Sequence, residues 1–298
     1  MIPHSVGSLF KGRIAFPAVG AAVVISALVL FFTTVSPEVV TVPSKGARGM
    51  STFERRSLSA TGAFSAHPIR FLLLGDSVAL TLGMGLSEQS KSRYGVDVID
   101  KGALGCDLDS VVVSLSGAVG PPTPGCRHWR ADWTQDVVQD HPDVVGLLIG
   151  RWEVSDHFYH GSWAHVGEES WDEHITSELG QAFDIVASKG ARVVVFTMPY
   201  VDPPNEAANG TPFPENTSAR AAVFNNLILR AASRAGEKVT VIDLNRLLDP
   251  RGQFQRDIDG IQVRWSDGIH ITIAGGEWLQ PSILPVVARE GLVARANR

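Results

Sequence analysis

Cysteine is scarce in this sequence of 298 residues, which contains only Cys106 and Cys126. Two cysteines are too few for a small domain held together by several disulfides, and their spacing is not that of a zinc site. They are either a disulfide pair or two unreactive thiols. Basic residues are also few, 26 against 31 acidic ones, and they form no run. Nucleic acid is not an expected partner, because phosphate binding requires a clustered basic surface.

Three common enzyme motifs are missing as well. No Gly-x-Gly-x-x-Gly follows the first predicted strand and no P-loop is present, which argues against dinucleotide-dependent oxidoreductases and P-loop nucleotidases. The Gly-x-Ser-x-Gly elbow of α/β-hydrolases is also absent. No cofactor is therefore expected. What the sequence does have is a globular composition, 44% hydrophobic and 19% charged.

The most apolar stretch lies near the start, at residues 14–35, and it carries no charge. It is long enough for a helix to cross about 30 Å of hydrocarbon. Lys11 and Arg13 precede it, so we expect residues 1–13 to stay in the cytoplasm and the rest to be exported. A cleaved signal peptide, which would give a secreted protein, is the alternative.

Residues 36–68 are rich in proline, serine, threonine and glycine without a sustained hydrophobic period, as expected of a linker. Residues 69–298 are enough for one well-buried domain. Short apolar runs alternate there with amphipathic stretches, which predict strands and helices respectively. The predicted strands are 69–74, 96–99, 144–149, 191–196 and 239–242, and the predicted helices are 80–91, 171–189, 219–235 and 275–290.

This alternation predicts an α/β fold, a three-layer α/β/α sandwich with a parallel sheet, preceded by one N-terminal transmembrane helix. In such folds ligands bind beyond the carboxyl ends of the strands. The first predicted strand is followed by Gly75-Asp76-Ser77. A tight turn would present the Ser77 hydroxyl at the start of a helix, where free N–H groups stabilise an oxyanion. The serine taken alone could instead be only a helix N-cap.

A general base for Ser77 is predicted near the other end of the chain, in Asp267-Gly268-Ile269-His270. A carboxylate three residues before a histidine can bind one imidazole nitrogen and leave the other facing a serine. In isolation this motif is also explained by a surface turn.

Four blocks occur in the order seen in the SGNH (GDSL-type) hydrolase superfamily, which residues 69–290 resemble. They are Gly75-Asp76-Ser77, Gly102-Ala103-Leu104-Gly105-Cys106, Gly150-Arg151-Trp152-Glu153 and Asp267-Gly268-Ile269-His270. The third block, together with Cys126 and Trp129, makes the chain similar to SGNH domains that are attached to, or work beside, membrane acyltransferases of cell-envelope polysaccharides. The resemblance implies a flavodoxin-like sheet.

The resemblance also implies the roles of the site residues. Ser77 would attack an ester or carry an acyl group, His270 would be general base and acid, and Asp267 would orient His270. The backbone N–H groups of Ser77 and Gly105 would form the oxyanion hole. A glycine at position 105 is also explained by the turn alone.

The third block departs from the family pattern, because Trp152 and Glu153 stand where asparagine and aspartate are usual. The asparagine side chain that donates to the oxyanion is missing. Trp152 or Arg151 could supply a replacement N–H. Alternatively, Trp152 packs in the core and Arg151 forms an ion pair with Glu153 or Asp156.

Two further features concern the surroundings of the site. Cys106 directly follows Gly105, and Cys126 closes a loop rich in proline and glycine, so we predict a Cys106–Cys126 disulfide in an exported domain. A histidine cluster, His157, His160 and His165, lacks the ligand spacing of a metal site, so no metal is expected. Five tryptophans lie near predicted carboxyl-edge loops, where rings could stack on sugars although most should be core: Trp129, Trp133, Trp152, Trp163 and Trp171.

The sequence thus predicts an exported, membrane-anchored serine esterase or O-acyltransferase that acts on acyl esters of cell-envelope carbohydrate. Its expected partners are an acylated carbohydrate or lipid substrate, the membrane and a membrane acyltransferase. The alternative is a catalytically inactive glycan-binding or scaffold domain, which the missing asparagine suggests. The acyl chain, the acceptor and the choice between hydrolysis and transfer are not determined by these residues.

Overall fold

The structure is a computed structural model that describes residues 67–121 and 126–298, together with the backbone of one short strand near the N-terminus. Its strands, numbered along the chain, are β1 (Val39–Val40), β2 (Ile69–Gly75), β3 (Val96–Gly102), β4 (Val113–Leu115), β5 (Ala118–Gly120), β6 (Val144–Leu148), β7 (Asp156–Tyr159), β8 (Ser162–Ala164), β9 (Arg192–Phe196), β10 (Val239–Ile242), β11 (Asp257–Ile258) and β12 (Ile261–Gln262). Its helices are α1 (Ser77–Ser87), α2 (Ser90–Tyr94), α3 (Trp129–Asp140), α4 (Glu169–Ala187), α5 (Ser218–Ala235), α6 (Leu244–Leu248) and α7 (Ile273–Ala296).

The predicted cytoplasmic segment 1–13 and membrane anchor 14–35 lie outside the described residues. Within the part that is described, none of the helices is both long enough and apolar enough to cross a bilayer. Most of the predicted linker, residues 36–68, is likewise not described, although its two residues Val39–Val40 pair with β10.

The central sheet has six strands in the order β1-β10-β9-β6-β2-β3, and every neighbouring pair is parallel. The predicted parallel α/β sheet is therefore confirmed. From β2 the chain first adds β3 on one side and later β6 on the other, so the order reverses at β2. The carboxyl end of β2 is thus the switch point, where such sheets bind ligands.

Alternate residues of each strand point to opposite faces of the sheet, and each face is covered by helices. On one face, Leu72, Val145 and Val193 share a core with residues of α3, α4 and α5. On the other face, Phe71 and Val194 share a core with residues of α1, α6 and α7. This is the predicted three-layer sandwich. Its strands read as continuous apolar runs because both faces are buried.

A second, smaller sheet is antiparallel and has the order β5-β4-β7-β8. Its strands come from the segments that follow β3 and β6 in the chain. Since those segments begin at the carboxyl ends of two central strands, the small sheet belongs to the same edge of the molecule as the switch point. The sequence did not predict this sheet.

The five central strands predicted after residue 68 occur within three residues of their expected bounds, and so do the helices predicted at 171–189 and 219–235. The helix predicted at 275–290 corresponds to α7, which continues to Ala296. The predicted helix 80–91 is different, because α1 already begins at Ser77 and ends at Ser87. Gln89 then adopts a left-handed conformation, φ 53°, which separates α1 from α2. Ser77 is therefore the first residue of α1, directly after its N-cap Asp76.

Candidate active site

Ser77 is presented by a sharp turn between β2 and α1. Gly75 has a φ of 139°, and a Cβ atom at this position would lie 1.8 Å from the Leu148 carbonyl oxygen. Only glycine fits there. The N-cap of α1 is Asp76, whose Oδ1 accepts a hydrogen bond from the Val78 N–H at 2.7 Å. Since Asp76 caps the helix, the alternative reading of Ser77 as the N-cap is wrong.

The three predicted triad residues lie together in one hydrogen-bonded chain. His270 Nε2 is 2.8 Å from Ser77 Oγ, and His270 Nδ1 is 2.7 Å from Asp267 Oδ2. Both distances are within the range of good hydrogen bonds. The side chains of His270 and Asp267 are 27% and 45% exposed, so a substrate can approach the imidazole from solvent.

The loop that carries Asp267 and His270 is held in shape by its own backbone. Asp267 Oδ1 accepts hydrogen bonds from the N–H groups of Ile269, at 2.8 Å, and His270, at 3.0 Å. Gly268 has a φ of 71°, and a Cβ there would lie 1.9 Å from the Asp202 carbonyl oxygen. Burial alone would raise the pKa of Asp267, but the hydrogen bonds from His270 and Ile269 outweigh it and lower the pKa. The carboxylate is therefore ionised at neutral pH.

Asp76 joins the serine turn to the third block. Its side chain is buried, and Oδ2 accepts a hydrogen bond from the Arg151 backbone N–H at 3.2 Å. Burial raises the pKa of Asp76 to about 6, against the lowering effect of the N–H groups of Val78 and Arg151. The sequence analysis considered the Gly75-Asp76-Ser77 block only for its serine. It did not predict the hydrogen bond between Asp76 and Arg151, because residue type alone does not show which distant backbone N–H an aspartate binds.

The segment around Gly105 is fixed from several sides. Gly105 is buried and has a φ of 69°. The predicted disulfide between Cys106 and Cys126 is present. Leu108, two residues after Cys106, is held at both of its backbone groups. Its N–H donates to Glu153 Oε1 at 3.1 Å, and its carbonyl oxygen accepts from the Trp129 indole N–H at 2.8 Å. A loop restrained in this way can keep backbone N–H groups at a constant position.

Arg151, in the third block, does not form the ion pair that the sequence suggested. The sequence offered Glu153 or Asp156 as its ionic partner, but Asp156 pairs with Arg220 at 2.7 Å and Glu153 accepts from Leu108. The Arg151 guanidinium is buried and reaches the Glu215 carbonyl oxygen at 3.5 Å instead. Neither expected ion pair of Arg151 is present, because the completely buried Glu153 side chain binds Leu108 and the Asp156 side chain pairs with Arg220.

Glu153 and Trp152 differ sharply in their surroundings. Burial, together with the charges of Asp107 and Asp76, raises the pKa of Glu153 well above its usual range. Its Oε2 has no hydrogen-bond partner within the described residues. Trp152 is only partly buried, and no hydrogen bond of its indole N–H occurs among the residues that the structure describes.

The histidines of the predicted cluster have separate partners. His157 is buried and its Nε2 lies 3.1 Å from Asp107 Oδ2, whereas His165 lies 3.1 Å from Glu168. His160 stacks on the ring of Tyr159. Across residues 67–121 and 126–298 there is no group of three or more side chains arranged to hold a metal ion.

The five tryptophans divide into core and surface residues. Trp129, Trp133 and Trp171 are at most 3% exposed, so they pack in the interior, as expected of most of them. Trp163 is 44% exposed. Trp265, which the sequence did not single out, is 48% exposed and lies two residues before Asp267. The exposed rings of Trp163 and Trp265 can contact a sugar.

Comparisons with known proteins place these residues in a family context. A sequence model of the family described as "SGNH domain (fused to AT3 domains)" matches residues 48–285. A search of curated protein sequences gave no significant match.

Three solved structures that match the chain share little sequence with it. LAE5, an alpha/beta hydrolase enzyme from the metagenome of Lake Arreo, is 19% identical with a TM-score of 0.47, over 74% of this chain and 94% of that chain. A catalytic mutant of Axe2, an acetylxylan esterase from Geobacillus stearothermophilus, is 16% identical with a TM-score of 0.44, over 74% and 94%. The acetyl xylan esterase AlAXEase is 15% identical with a TM-score of 0.46, over 74% and 100%.

The family match covers more than half of the chain, and its described part contains the residues of all four blocks. The chain therefore belongs to the family of SGNH domains fused to AT3 domains, and with it to the SGNH-type serine ester hydrolases.

Proposed function

We propose that this protein is a serine esterase or O-acyltransferase that works through an acyl-enzyme on Ser77, with His270 as general base and acid and Asp267 as its orienting carboxylate. The observation that carries the proposal is the continuous chain from Asp267 Oδ2 through His270 to Ser77 Oγ, with links of 2.7 and 2.8 Å. Nucleophile, base and orienting group in hydrogen-bond contact are the geometric signature of an activated serine.

The reaction follows from this geometry. His270 Nε2 takes the hydroxyl proton as Ser77 Oγ attacks the ester carbonyl carbon, and the carbonyl oxygen becomes an oxyanion. Asp267 stabilises the imidazolium that forms. When the carbonyl re-forms, the alcohol leaves with the proton from His270, and Ser77 keeps the acyl group. Water or the hydroxyl of an acceptor then attacks in the same way and regenerates the serine.

The oxyanion would be stabilised by the backbone N–H groups of Ser77 and Gly105, with a side-chain donor in place of the missing asparagine. Trp152 and Arg151 are the two candidates for that donor. Trp152 is favoured by its partly buried side chain, whose indole N–H has no hydrogen bond among the described residues. The contacts of Arg151 with Asp76 and with the Glu215 carbonyl favour a structural role for the arginine.

The substrate we propose is an acyl ester, most simply an acetyl ester, of cell-envelope carbohydrate. The family description supports it, because AT3 domains are membrane acyltransferase domains and such a partner would supply or accept acyl groups. The uncharged segment 14–35 would anchor the domain outside the cytoplasm. Exposed aromatic rings such as Trp163 and Trp265 offer apolar surfaces for sugar rings.

A second candidate function is that of an inactive glycan-binding or scaffold domain beside a membrane acyltransferase. The observation that favours it is the third block, which has no asparagine to donate to an oxyanion. Loss of such a donor costs about 10²- to 10³-fold in rate in other serine enzymes. Under this hypothesis the serine is not used, and its removal changes no activity.

Hydrolysis of p-nitrophenyl acetate by the purified full chain separates the two candidates. We expect turnover that is lost in Ser77→Ala and kept in Ser87→Ala, a matched control at the exposed end of the same helix. Equal background rates in all three proteins would support the inactive domain. Adding xylan-type or peptidoglycan-type oligosaccharides then distinguishes transfer, which gives acetylated sugar, from hydrolysis, which gives acetate alone.

A further inference from the structure

Arg264 is a charged side chain with no exposure to solvent, and it lies in the same loop as Asp267 and His270. Its guanidinium donates to two backbone carbonyls, Nη1 to Ile269 at 2.7 Å and Nη2 to Tyr200 at 2.7 Å. Both distances are those of charge-assisted hydrogen bonds. A buried charge is costly unless it is well paired, so its retention requires these partners.

The two carbonyls belong to different loops at the edge of the central sheet. Ile269 directly precedes His270, so its carbonyl is part of the peptide group that leads into the histidine. Tyr200 lies in the segment after β9. The guanidinium therefore joins the loop that carries His270 to the segment after β9. It binds the first of these at the carbonyl of Ile269, the residue directly before His270.

A third segment completes this arrangement. Asp249 Oδ2 lies 3.9 Å from the guanidinium and accepts from the Tyr200 N–H at 2.8 Å, while its Oδ1 accepts from the Gln255 N–H at 3.1 Å. Burial lowers the pKa of Arg264 to about 10, and Asp249 and Asp267 act against that shift. The arginine is still protonated at neutral pH, so all its donors are present.

Other contacts hold the same loop closed. Arg264 and Ile271 form an antiparallel bridge, and the Trp265 N–H donates to the His270 carbonyl oxygen at 2.9 Å. These bonds close the loop around residues 264–271, and the Ile271 N–H also donates to Thr81 Oγ1 of α1 at 3.3 Å. Two contacts join the loop to the segment after β9: the guanidinium donates to the Tyr200 carbonyl oxygen, and the Asp202 N–H donates to the Gly268 carbonyl oxygen at 2.9 Å. Of the two, the guanidinium also holds the Ile269 carbonyl, directly before His270.

We propose that Arg264 is a positioning residue of the active site, which holds the Ile269–His270 peptide so that the imidazole meets Ser77. The proposal rests on the function proposed above. Arg264 touches neither the substrate nor the reacting atoms, and it acts through His270. A displacement of about 1 Å at such a distance from the chemistry can lower a rate about 10²-fold.

The test compares Arg264→Lys with Arg256→Lys in the full-length protein. Lysine keeps the charge but cannot donate to two carbonyls in the fixed geometry of a guanidinium. Arg256 is an exposed arginine nearby in the sequence and serves as the matched control. With p-nitrophenyl acetate, we expect Arg264→Lys to lower kcat about 10²-fold. KM should stay within about twofold, because ground-state binding is not affected. The control should match the wild type in both constants.

A His270→Ala background distinguishes positioning from a general weakening of the fold. If Arg264 acts through the imidazole, Arg264→Lys should cause no further loss once that imidazole is absent. An equal loss in both backgrounds, or an unchanged kcat in the single variant, would overturn the proposal. Wild-type protein without Ser77-dependent turnover would instead refute the proposed function, and the positioning role with it.

Thermal unfolding shows whether each variant is folded before its kinetics are compared. If Arg264→Lys does not fold, Arg264→Gln, which is neutral and keeps two N–H donors, takes its place in the same measurements. Failure of both to fold would overturn the assignment, since the guanidinium would then be required for the fold and not for the position of His270.

Discussion

His270 Nε2 lies 2.8 Å from Ser77 Oγ, although 193 residues separate the two in the sequence. The contact forms because Ser77 follows the central strand β2 and His270 follows the last crossover to the same edge of the sheet. Two rigid turns set its length, one at Gly75 and one at Gly268, and neither can accept a larger residue without a clash. The distance is therefore a property of the fold and not of a flexible loop.

Asp267→Asn should leave the loop folded but lower kcat strongly. Asparagine can still accept the N–H groups of Ile269 and His270, yet it cannot stabilise an imidazolium or hold the Nδ1–H tautomer as a carboxylate does. The corresponding change in a serine protease costs about 10⁴-fold in kcat. Steady-state kinetics with p-nitrophenyl acetate measure the loss, with Asp257→Asn at an exposed strand as control. A variant with wild-type kcat would show that Asp267 does not orient the base.

The contact among Ser77, His270 and Asp267 could be predicted from the sequence because each residue sits in a short block next to a strand or helix boundary. The central strands were equally clear, since their continuous apolar runs have few alternatives. The small antiparallel sheet was missed because β4, β5 and β8 have three residues each, too few to show an alternating pattern. Helix α3 was missed as well, in a stretch that begins close to Cys126.

The environment of polar residues was harder to predict than the fold. Arg264 follows a buried valine and precedes an exposed tryptophan, and nothing in that pattern marks an arginine as fully buried. Glu153 likewise reads as a surface acid beside Arg151, although its side chain turns into the interior. Such burial depends on carbonyls and N–H groups from distant loops, which a local pattern does not contain.

Trp152→Phe tests the proposed side-chain donor to the oxyanion. Phenylalanine keeps most of the packing area but has no N–H, so we expect kcat to fall about 10²-fold with little change in KM. Trp278→Phe, at a partly buried position of α7, is the control. If Trp152→Phe were as active as the wild type, the donor would have to be Arg151 or the backbone alone, and Arg151→Met would decide between them.

The Cys106–Cys126 disulfide closes a loop with a sequence separation of 20 and should stabilise the fold. For a loop of this size we expect a contribution of about 3 kcal/mol to the free energy of unfolding. Urea unfolding of the oxidised protein and of the Cys106→Ser/Cys126→Ser double variant measures it. Mass spectrometry of a non-reduced digest is the accompanying check, and recovery of both cysteines as free thiols would refute the bridge.

Asp100 should make the protein less stable as the pH rises from about 4 to about 6. Its pKa is raised by burial to about 6 in the folded state, against an ordinary value of about 4 when unfolded. Between these values the folded state binds the proton more tightly, so stability falls with rising pH and then levels off.

Asp100→Asn keeps an acceptor for the Gly102 N–H and removes the ionisation. The variant should therefore unfold at a higher urea concentration than the wild type at pH 7.5, with a smaller difference at pH 4. Asp257→Asn provides the exposed control. If Asp100→Asn unfolded at the same urea concentration as the wild type at pH 7.5, that result would contradict the raised pKa of Asp100.

The most direct test of the central claim is the intact mass of the protein after brief mixing with p-nitrophenyl acetate and denaturation in acid, which stops the reaction before the acyl-enzyme is hydrolysed. The account predicts a gain of one acetyl group, located by digestion on the peptide that contains Ser77 and absent from Ser77→Ala. An unmodified wild-type protein, or an acetyl group that persists in the variant, would contradict an acyl-enzyme on Ser77.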